Sequence, residues 1–175
     1  AESTVLRLRA EPGAAQRGLR DADAEHYVRR ARPLALGQTQ SLPVPGHLGL
    51  GEEELELHPV EGHSPDGMAV FAPWLELLCC GDYLSDVEIP IIGPGGSVSD
   101  YRATLARLGG LVERSRTVVP GHGSPCSREH AERLLDEDVE YLDALERDEE
   151  RPRLPGGRDS ARQRKIHADN LRRRG

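Results

Sequence analysis

The chain has 175 residues, of which 37% are hydrophobic and 30% are charged, and its formal net charge is −7. A chain of this size and composition fits one globular domain, and the net acidity gives no reason to expect a nucleic-acid partner. No apolar run approaches the roughly 20 residues that cross a bilayer, and no basic segment followed by an apolar stretch begins the chain, so we expect neither membrane insertion nor secretion. The three cysteines and the predominance of arginine over lysine fit reduced thiols in a bacterial, cytoplasmic protein.

The first half of the chain predicts strands separated by turns. Residues 5–9 alternate as a short strand does, and residues 21–31 have the acidic start and the arginine-rich end of a helix. Residues 37–51 are rich in proline and glycine, which predicts a loop. Three apolar runs follow, at 55–57, 68–71 and 75–80. Each run is bounded by Pro, Gly or Asp, so we expect three successive antiparallel strands with short connections.

The second half predicts helices. Capping residues begin at Ser97, and the apolar residues that follow recur at helical spacing, at Tyr101, Leu105, Leu108 and Leu111. Residues 117–119 predict a short strand, and Ser127 can cap a second helix whose acidic residues face water. Residues 151–157 contain two prolines and two glycines, which predicts a linker to a terminal helix of mostly polar surface. We interpret residues 1–175 as a single, partial domain.

Three short segments place a side chain that can bind a metal ion where a strand meets a turn. They are Glu61-Gly62-His63, Cys80-Gly81-Asp82 and Val119-Pro120-Gly121-His122-Gly123. The glycines let the backbone bend and leave room for a metal ion or a substrate. Each segment alone is typical of an ordinary turn. Their order and context favour a functional role, because together they resemble a known family.

The order strand-Gly-His, strand-Gly-Asp, helix and strand-Pro-Gly-His-Gly, over residues 53–150, resembles the metallo-β-lactamase superfamily and, within it, the hydroxyacylglutathione hydrolase branch. The resemblance implies an α+β fold, a four-layer αβ/βα sandwich, with two metal ions at one sheet edge. It also implies that His63 binds the first ion, that Asp82 bridges both ions as the catalytic residue, and that His122 binds the second. Zinc is the expected metal, with iron or manganese as alternatives. The implied reaction is attack of a metal-held hydroxide on a thioester or another acyl compound, so the expected partner is a small-molecule substrate.

The same family has an upstream His-x-His-x-Asp-His segment that supplies the remaining ligands, and this segment is absent from the sequence. Residues 21–26, Asp-Ala-Asp-Ala-Glu-His, have potential ligands at the corresponding spacings, but no apolar strand precedes them and they fit the start of a helix. We therefore expect only the carboxy-terminal part of the fold, either because the chain is a fragment, which we favour, or because it derives from an enzyme that has discarded the site. A partial sandwich exposes a sheet face, through which we expect association with another chain.

Two further hypotheses stay open. The chain could be a catalytically inactive binding or assembly module of the same fold, or its three ligands could form a mononuclear site with two histidines and one carboxylate, which we rank last. Several other polar residues are weaker candidates. His47 could border a substrate pocket, and Tyr83 and Asp86 could reach the substrate or orient a ligand. We interpret His58 as a structural or surface residue. We place His167 and Asn170 on a solvent-facing side of the terminal helix.

Overall fold

A mixed sheet of six strands forms the centre of the part of the chain that this computed structural model describes, residues 44–147 and 153–173. The strands lie side by side in the order in which they occur along the chain. They are β1 (Gly46–Leu50), β2 (Glu53–Pro59), β3 (Met68–Ala72), β4 (Leu77–Gly81), β5 (Thr117–Pro120) and β6 (Cys126–Ser127).

One pair of neighbouring strands is parallel, and the other pairs are antiparallel. The first four strands pair antiparallel, β4 and β5 pair parallel, and β5 and β6 pair antiparallel. A parallel pair needs a crossover connection, and here it contains helix α1 (Val98–Glu113). As a result the carboxyl ends of β4 and β5 lie at the same edge of the sheet, and the residues that follow each strand meet there.

The three successive antiparallel strands predicted from the apolar runs are confirmed as β2, β3 and β4. Leu57 lies opposite Val70, and Phe71 lies opposite Leu78. The prediction of a loop over residues 37–51 is wrong for β1, which pairs with β2 along its whole length. Most side chains of β1 are exposed, so its pairing depends on the backbone and leaves no apolar alternation in the sequence. The strand and the helix predicted before residue 44 lie outside the described residues.

Two amphipathic helices cover one face of the sheet. Helix α1 begins at Ser97, whose hydroxyl accepts a hydrogen bond from the Asp100 amide. Helix α2 (Arg128–Glu146) begins in the same way at Ser127. The apolar stripe predicted for α1 is buried against sheet residues such as Phe71 and Leu78. On the opposite face, alternate residues such as Cys79 are half-buried, and association of another chain there stays a prediction.

The terminal helix α3 (Ala161–Arg173) packs against the rest of the fold. The prediction that Asn170 faces solvent is wrong, because Asn170 is fully buried, as are Gln163 and, just before the helix, Arg158. These polar side chains satisfy backbone groups of another segment instead of contacting water. All described residues lie in one compact unit, Pro43–Gly175, and the extension of a single domain to residues 1–42 stays a prediction. Within the described part of the chain, the helices are too short or too polar to cross a membrane.

Candidate metal centre

The structure brings His63, Asp82 and His122 together at the sheet edge where β4 and β5 end. His63 Nε2 lies 3.2 Å from Asp82 Oδ2. His122 Nε2 lies 3.6 Å from the other carboxylate oxygen, Asp82 Oδ1. Asp82 therefore stands between two imidazoles and faces each of them with a different oxygen.

The parallel strands determine where Asp82 and His122 lie. Asp82 directly follows β4, and His122 follows β5 after one glycine. The Gly121 amide donates a 2.7 Å hydrogen bond to the Gly81 carbonyl, which ties the two turns to each other. A Cβ atom on Gly121 would lie only 2.6 Å from Asp82 Oδ1. The absence of a side chain at Gly121 therefore leaves space for the carboxylate.

His63 is placed by a tight turn after β2. Gly62 has φ of +114°, and a Cβ atom there would lie 2.3 Å from the Tyr101 backbone, so glycine is required for both reasons. The buried Tyr83 hydroxyl accepts a hydrogen bond from the His63 amide at 3.1 Å and donates one to the Glu61 carbonyl at 2.6 Å. The prediction offered two roles for Tyr83, and this geometry fits the orienting one.

The ring of His63 is oriented by a backbone carbonyl. Its Nδ1 atom lies 2.9 Å from the Ile91 oxygen. Because a carbonyl oxygen only accepts hydrogen bonds, this contact requires a proton on Nδ1, and in the charged, doubly protonated ring Nε2 donates to Asp82. The hydrogen bond to Asp82 raises the pKa of His63, against the effect of burial. The same hydrogen bond lowers the pKa of Asp82, so the carboxylate is ionised at neutral pH, as a metal ligand must be.

The turn that carries His122 is more exposed, and two side chains of the segment after Asp82 hold its backbone. Ser85 Oγ donates a 2.9 Å hydrogen bond to the His122 carbonyl, and Asp86 Oδ1 accepts one of 3.0 Å from the Ser124 amide. Gly123, which lies between His122 and Ser124, has φ of +98°. Asp86 thus shapes the turn that presents the His122 imidazole, in line with the orienting role among those predicted for it.

The three side chains are suited to binding metal ions, with the Asp82 carboxylate shared between two ions. Imidazole nitrogen and carboxylate oxygen are suitable ligands for zinc. Within residues 44–147 and 153–173, no group of three or more His, Cys, Asp or Glu side chains is arranged to hold a metal ion by itself. Since the two imidazoles face different oxygens of Asp82, the geometry fits a carboxylate between two ions better than three donors around one ion. Additional donors would have to complete each ion's coordination.

The structure places the weaker candidates away from these three residues or in supporting roles. His47 lies on β1, opposite Glu56, rather than in a loop. His58 contacts Glu56 at 3.1 Å, which fits the structural role predicted for it. His167 lies 2.9 Å from the Tyr141 hydroxyl. Asn170 binds the backbone on both sides of Ile91. No local sequence pattern predicts this contact, because its partners are 78 and 80 residues away.

No family model and no curated protein matches the chain. Solved structures do match it. A metallo-β-lactamase family protein from Thermus thermophilus aligns with TM-score 0.53 and 22% identity over 85% of this chain and 53% of its own. A metallo-β-lactamase superfamily protein from Sulfolobus tokodaii aligns with TM-score 0.51 and 16% identity, over 99% and 62%. A stereoselective inverting sec-alkylsulfatase from a Pseudomonas species aligns with TM-score 0.54 and 15% identity, over 66% and 20%.

These similarities define the fold. The chain has the metallo-β-lactamase fold, which confirms the α+β class and the fold that the resemblance of the three motifs implied. The chain spans less than two thirds of the length of each of these proteins. The hydroxyacylglutathione hydrolase branch stays a prediction.

Proposed function

We propose that this chain is part of a metal-dependent hydrolase in which His63, Asp82 and His122 contribute ligands to two metal ions. The observation that carries the proposal is the position of Asp82, with one carboxylate oxygen toward each imidazole, at 3.2 and 3.6 Å. His63 would bind the first ion, His122 the second, and Asp82 both. The fold supports this assignment, since the three residues follow the strands on which the superfamily resemblance expects them.

The chain's own residues prepare the site for a cation. The Ile91 carbonyl keeps the proton on Nδ1 of His63, so Nε2 is left to face the ion. The hydrogen bond from His63 lowers the pKa of Asp82 and keeps the carboxylate charged. A cation would take the place of the proton shared between these two groups. When bound, zinc supplies Lewis acidity, which polarises a carbonyl group and lowers the pKa of water.

The substrate class that we propose is a thioester or another small acyl compound, with zinc as the first metal to test and iron or manganese next. The residues that complete the coordination would come from other parts of the protein or from a second chain. The site is open toward solvent, because the side chain of His122 is about half exposed, so a small molecule can approach the carboxylate from that side.

The test is the metal content of protein purified without added metal or chelator, measured by elemental mass spectrometry. A complete site gives about two ions per chain. His122→Ala should lose one of the two ions and most of the thioester hydrolysis. The matched control is His58→Ala, which removes an imidazole from β2 that hydrogen-bonds Glu56 and should change neither value.

Two results would overturn the proposal. One is the absence of bound metal in the wild-type chain after incubation with zinc, which would favour the alternative of a catalytically inactive module. The other is unchanged metal content and unchanged turnover in His122→Ala.

A further inference from the structure

The carboxy-terminal part of the described chain holds the segment that orients His63. This segment, residues 85–92, follows Asp82 and contains the Ile91 carbonyl. Arg158 donates hydrogen bonds to the carbonyls of Ser85 and Glu88, at 3.2 and 2.9 Å. Gln163 Oε1 accepts one of 3.0 Å from the Ile89 amide. Buried side chains thus bind its backbone along most of its length.

Asn170 binds this segment on both sides of Ile91. Its Oδ1 accepts a 3.0 Å hydrogen bond from the Ile92 amide, and its Nδ2 donates one of 2.6 Å to the Pro90 carbonyl. The side chain is fully buried, so water does not compete for these groups. The residue enclosed between the two bonds is the one whose carbonyl accepts the His63 proton, at 2.9 Å.

The partners of the Asn170 amide determine its orientation. Nδ2 also donates to the Tyr141 hydroxyl at 3.1 Å, and this hydroxyl lies 2.9 Å from His167 Nδ1. A reversed amide would place its NH₂ group against the Ile92 N–H and its oxygen against the Pro90 carbonyl, so both contacts would be repulsive. Only one amide orientation therefore satisfies the three partners, and it holds the backbone around Ile91 in one position.

We infer that Asn170 is a positioning residue for His63, acting through the Ile91 carbonyl. By fixing the backbone at Pro90 and Ile92, it keeps the Ile91 oxygen within hydrogen-bond distance of Nδ1. It thereby favours a proton on Nδ1, which leaves Nε2 as the nitrogen that is available to a metal ion. The consequence for metal binding rests on the proposed function, whereas the effect on the tautomer does not.

Gln163 provides a matched control. It lies on the same helix, is equally buried, and binds the same segment through one backbone amide. Its partner, Ile89, is two residues from Ile91. The hydrogen bonds to the Pro90 carbonyl and the Ile92 amide belong to Asn170, and Arg173 adds one to the Ile92 carbonyl at 3.1 Å. Loss of Gln163 should therefore loosen the fold without releasing the carbonyl that orients His63.

The experiment measures the tautomer of His63 in the full chain, labelled with ¹⁵N-histidine and free of metal, at alkaline pH where the imidazole is neutral. Long-range ¹H–¹⁵N correlation distinguishes protonation at Nδ1 from protonation at Nε2, and His63→Gln identifies the signal. The ratio is measured in an Asp82→Ala background, because the Asp82 carboxylate accepts from Nε2 and would otherwise compete with the Ile91 carbonyl for the single proton of the neutral ring. In that background we expect the chain with Asn170 and Gln163 intact, and Gln163→Leu, to be protonated at Nδ1. In Asn170→Leu the tautomer ratio should shift toward Nε2 by about fivefold, the factor that corresponds to the net loss of one hydrogen bond.

Asn170→Asp serves as a second variant, because it keeps the side-chain size and the acceptor for the Ile92 amide if Asn170→Leu fails to fold. It places an oxygen against the Pro90 carbonyl and should shift the ratio in the same direction. An unchanged tautomer in whichever Asn170 variant folds would overturn the inference, and so would an equal shift in Gln163→Leu.

Zinc affinity gives a second measurement. Loss of a group that orients a ligand typically weakens metal binding about 10- to 100-fold, so we expect this loss in Asn170→Leu and no change in Gln163→Leu. If the wild type binds no zinc, the proposed function fails, while the tautomer measurement still decides the role of Asn170. If the wild type binds zinc and both variants bind it equally well, the role of Asn170 in metal binding is refuted.

Discussion

Replacement of Arg158 by methionine tests the buried ion pair that joins the carboxy-terminal segment to α2. The guanidinium is 1% exposed, and its Nη1 atom lies 2.6 Å from Asp138 Oδ1. The same nitrogen also donates to the carbonyls of Ser85 and Glu88. Arg158→Met therefore leaves a buried carboxyl group without its counter-charge and two carbonyls without this donor.

The expected cost follows from these contacts. Removing one partner of a buried pair costs about 3–5 kcal/mol of unfolding free energy. We expect about 3 kcal/mol at about pH 8, near the lower end of this range, because Asp138 can take up a proton once Arg158 is gone. The double variant with Asp138→Leu should recover part of this loss, since an apolar pair avoids burying the charge. A deficit of about 1–3 kcal/mol should remain, because the Ser85 and Glu88 carbonyls still lack their donor.

Urea denaturation followed by circular dichroism measures the two single variants and the double variant as a thermodynamic cycle. Arg172→Met is the matched control, because Arg172 makes an exposed ion pair with Asp169, and such pairs contribute about 0–1 kcal/mol. The reasoning is refuted if Arg158→Met loses no more stability than Arg172→Met, or if the double variant is less stable than Arg158→Met alone.

Three further predictions follow from other contacts. Gly96→Ala should lower the unfolding free energy, measured by thermal unfolding, by about 1–3 kcal/mol, because its Cβ atom would lie 1.9 Å from the Gly62 carbonyl oxygen. Gly110→Ala, where the Cβ atom meets open space on α1, should instead raise it by about 1 kcal/mol. Equal effects of the two substitutions would contradict this prediction. Burial raises the pKa of Asp138 to about 7 from 3.8, although Arg158 opposes the shift and Glu137 adds to it. Between these two pH values the folded state holds a proton that the unfolded state releases. The unfolding free energy should therefore fall as pH rises from about 4 to 7, by at most about 1.4 kcal/mol per pH unit. If the unfolding free energy of Asp138→Asn falls equally over this pH range, Asp138 is not the origin of the pH dependence. Tyr83→Phe should lower the urea midpoint by the equivalent of about 1–2 kcal/mol, since it leaves the His63 amide without its acceptor, and an unchanged midpoint would show that this hydrogen bond does not stabilise the fold.

Much of the fold could be predicted because its signals are local. The caps at Ser97 and Ser127 lie within a few residues of the amides that they bind, and the apolar runs of β2, β3 and β4 are each contained in a few residues. By contrast, β1 is held by backbone pairing at an exposed edge. A strand of this kind places no constraint on its side chains, so its sequence reads as a loop.

The site was predictable only in part, because only some of the features that build it are local in the sequence. The turns that carry His63, Asp82 and His122 are visible as glycine-flanked residues after strands. They lie close together because β4 and β5 pair in parallel. The superfamily resemblance implied a shared site at one sheet edge, whereas the spacing alone did not. The role of Asn170 was missed because its partners are backbone groups. Every residue type carries a backbone carbonyl, and nearly every type carries an amide N–H, so the sequence does not reveal which residues Asn170 binds.

The hydrogen bonds of α3 also set the order in which the protein can mature during synthesis. The Ile92 amide and the Pro90 carbonyl are made 78 and 80 residues before the asparagine that binds them. At about 5–20 residues per second, a ribosome needs roughly 4–16 seconds to cover that distance. By the end of this interval β2 to β5 and all three candidate ligands have been made, yet the carbonyl facing His63 still lacks its restraint. A nascent chain should therefore acquire its sheet first and an ordered arrangement of the three candidate ligands only after α3 has been made.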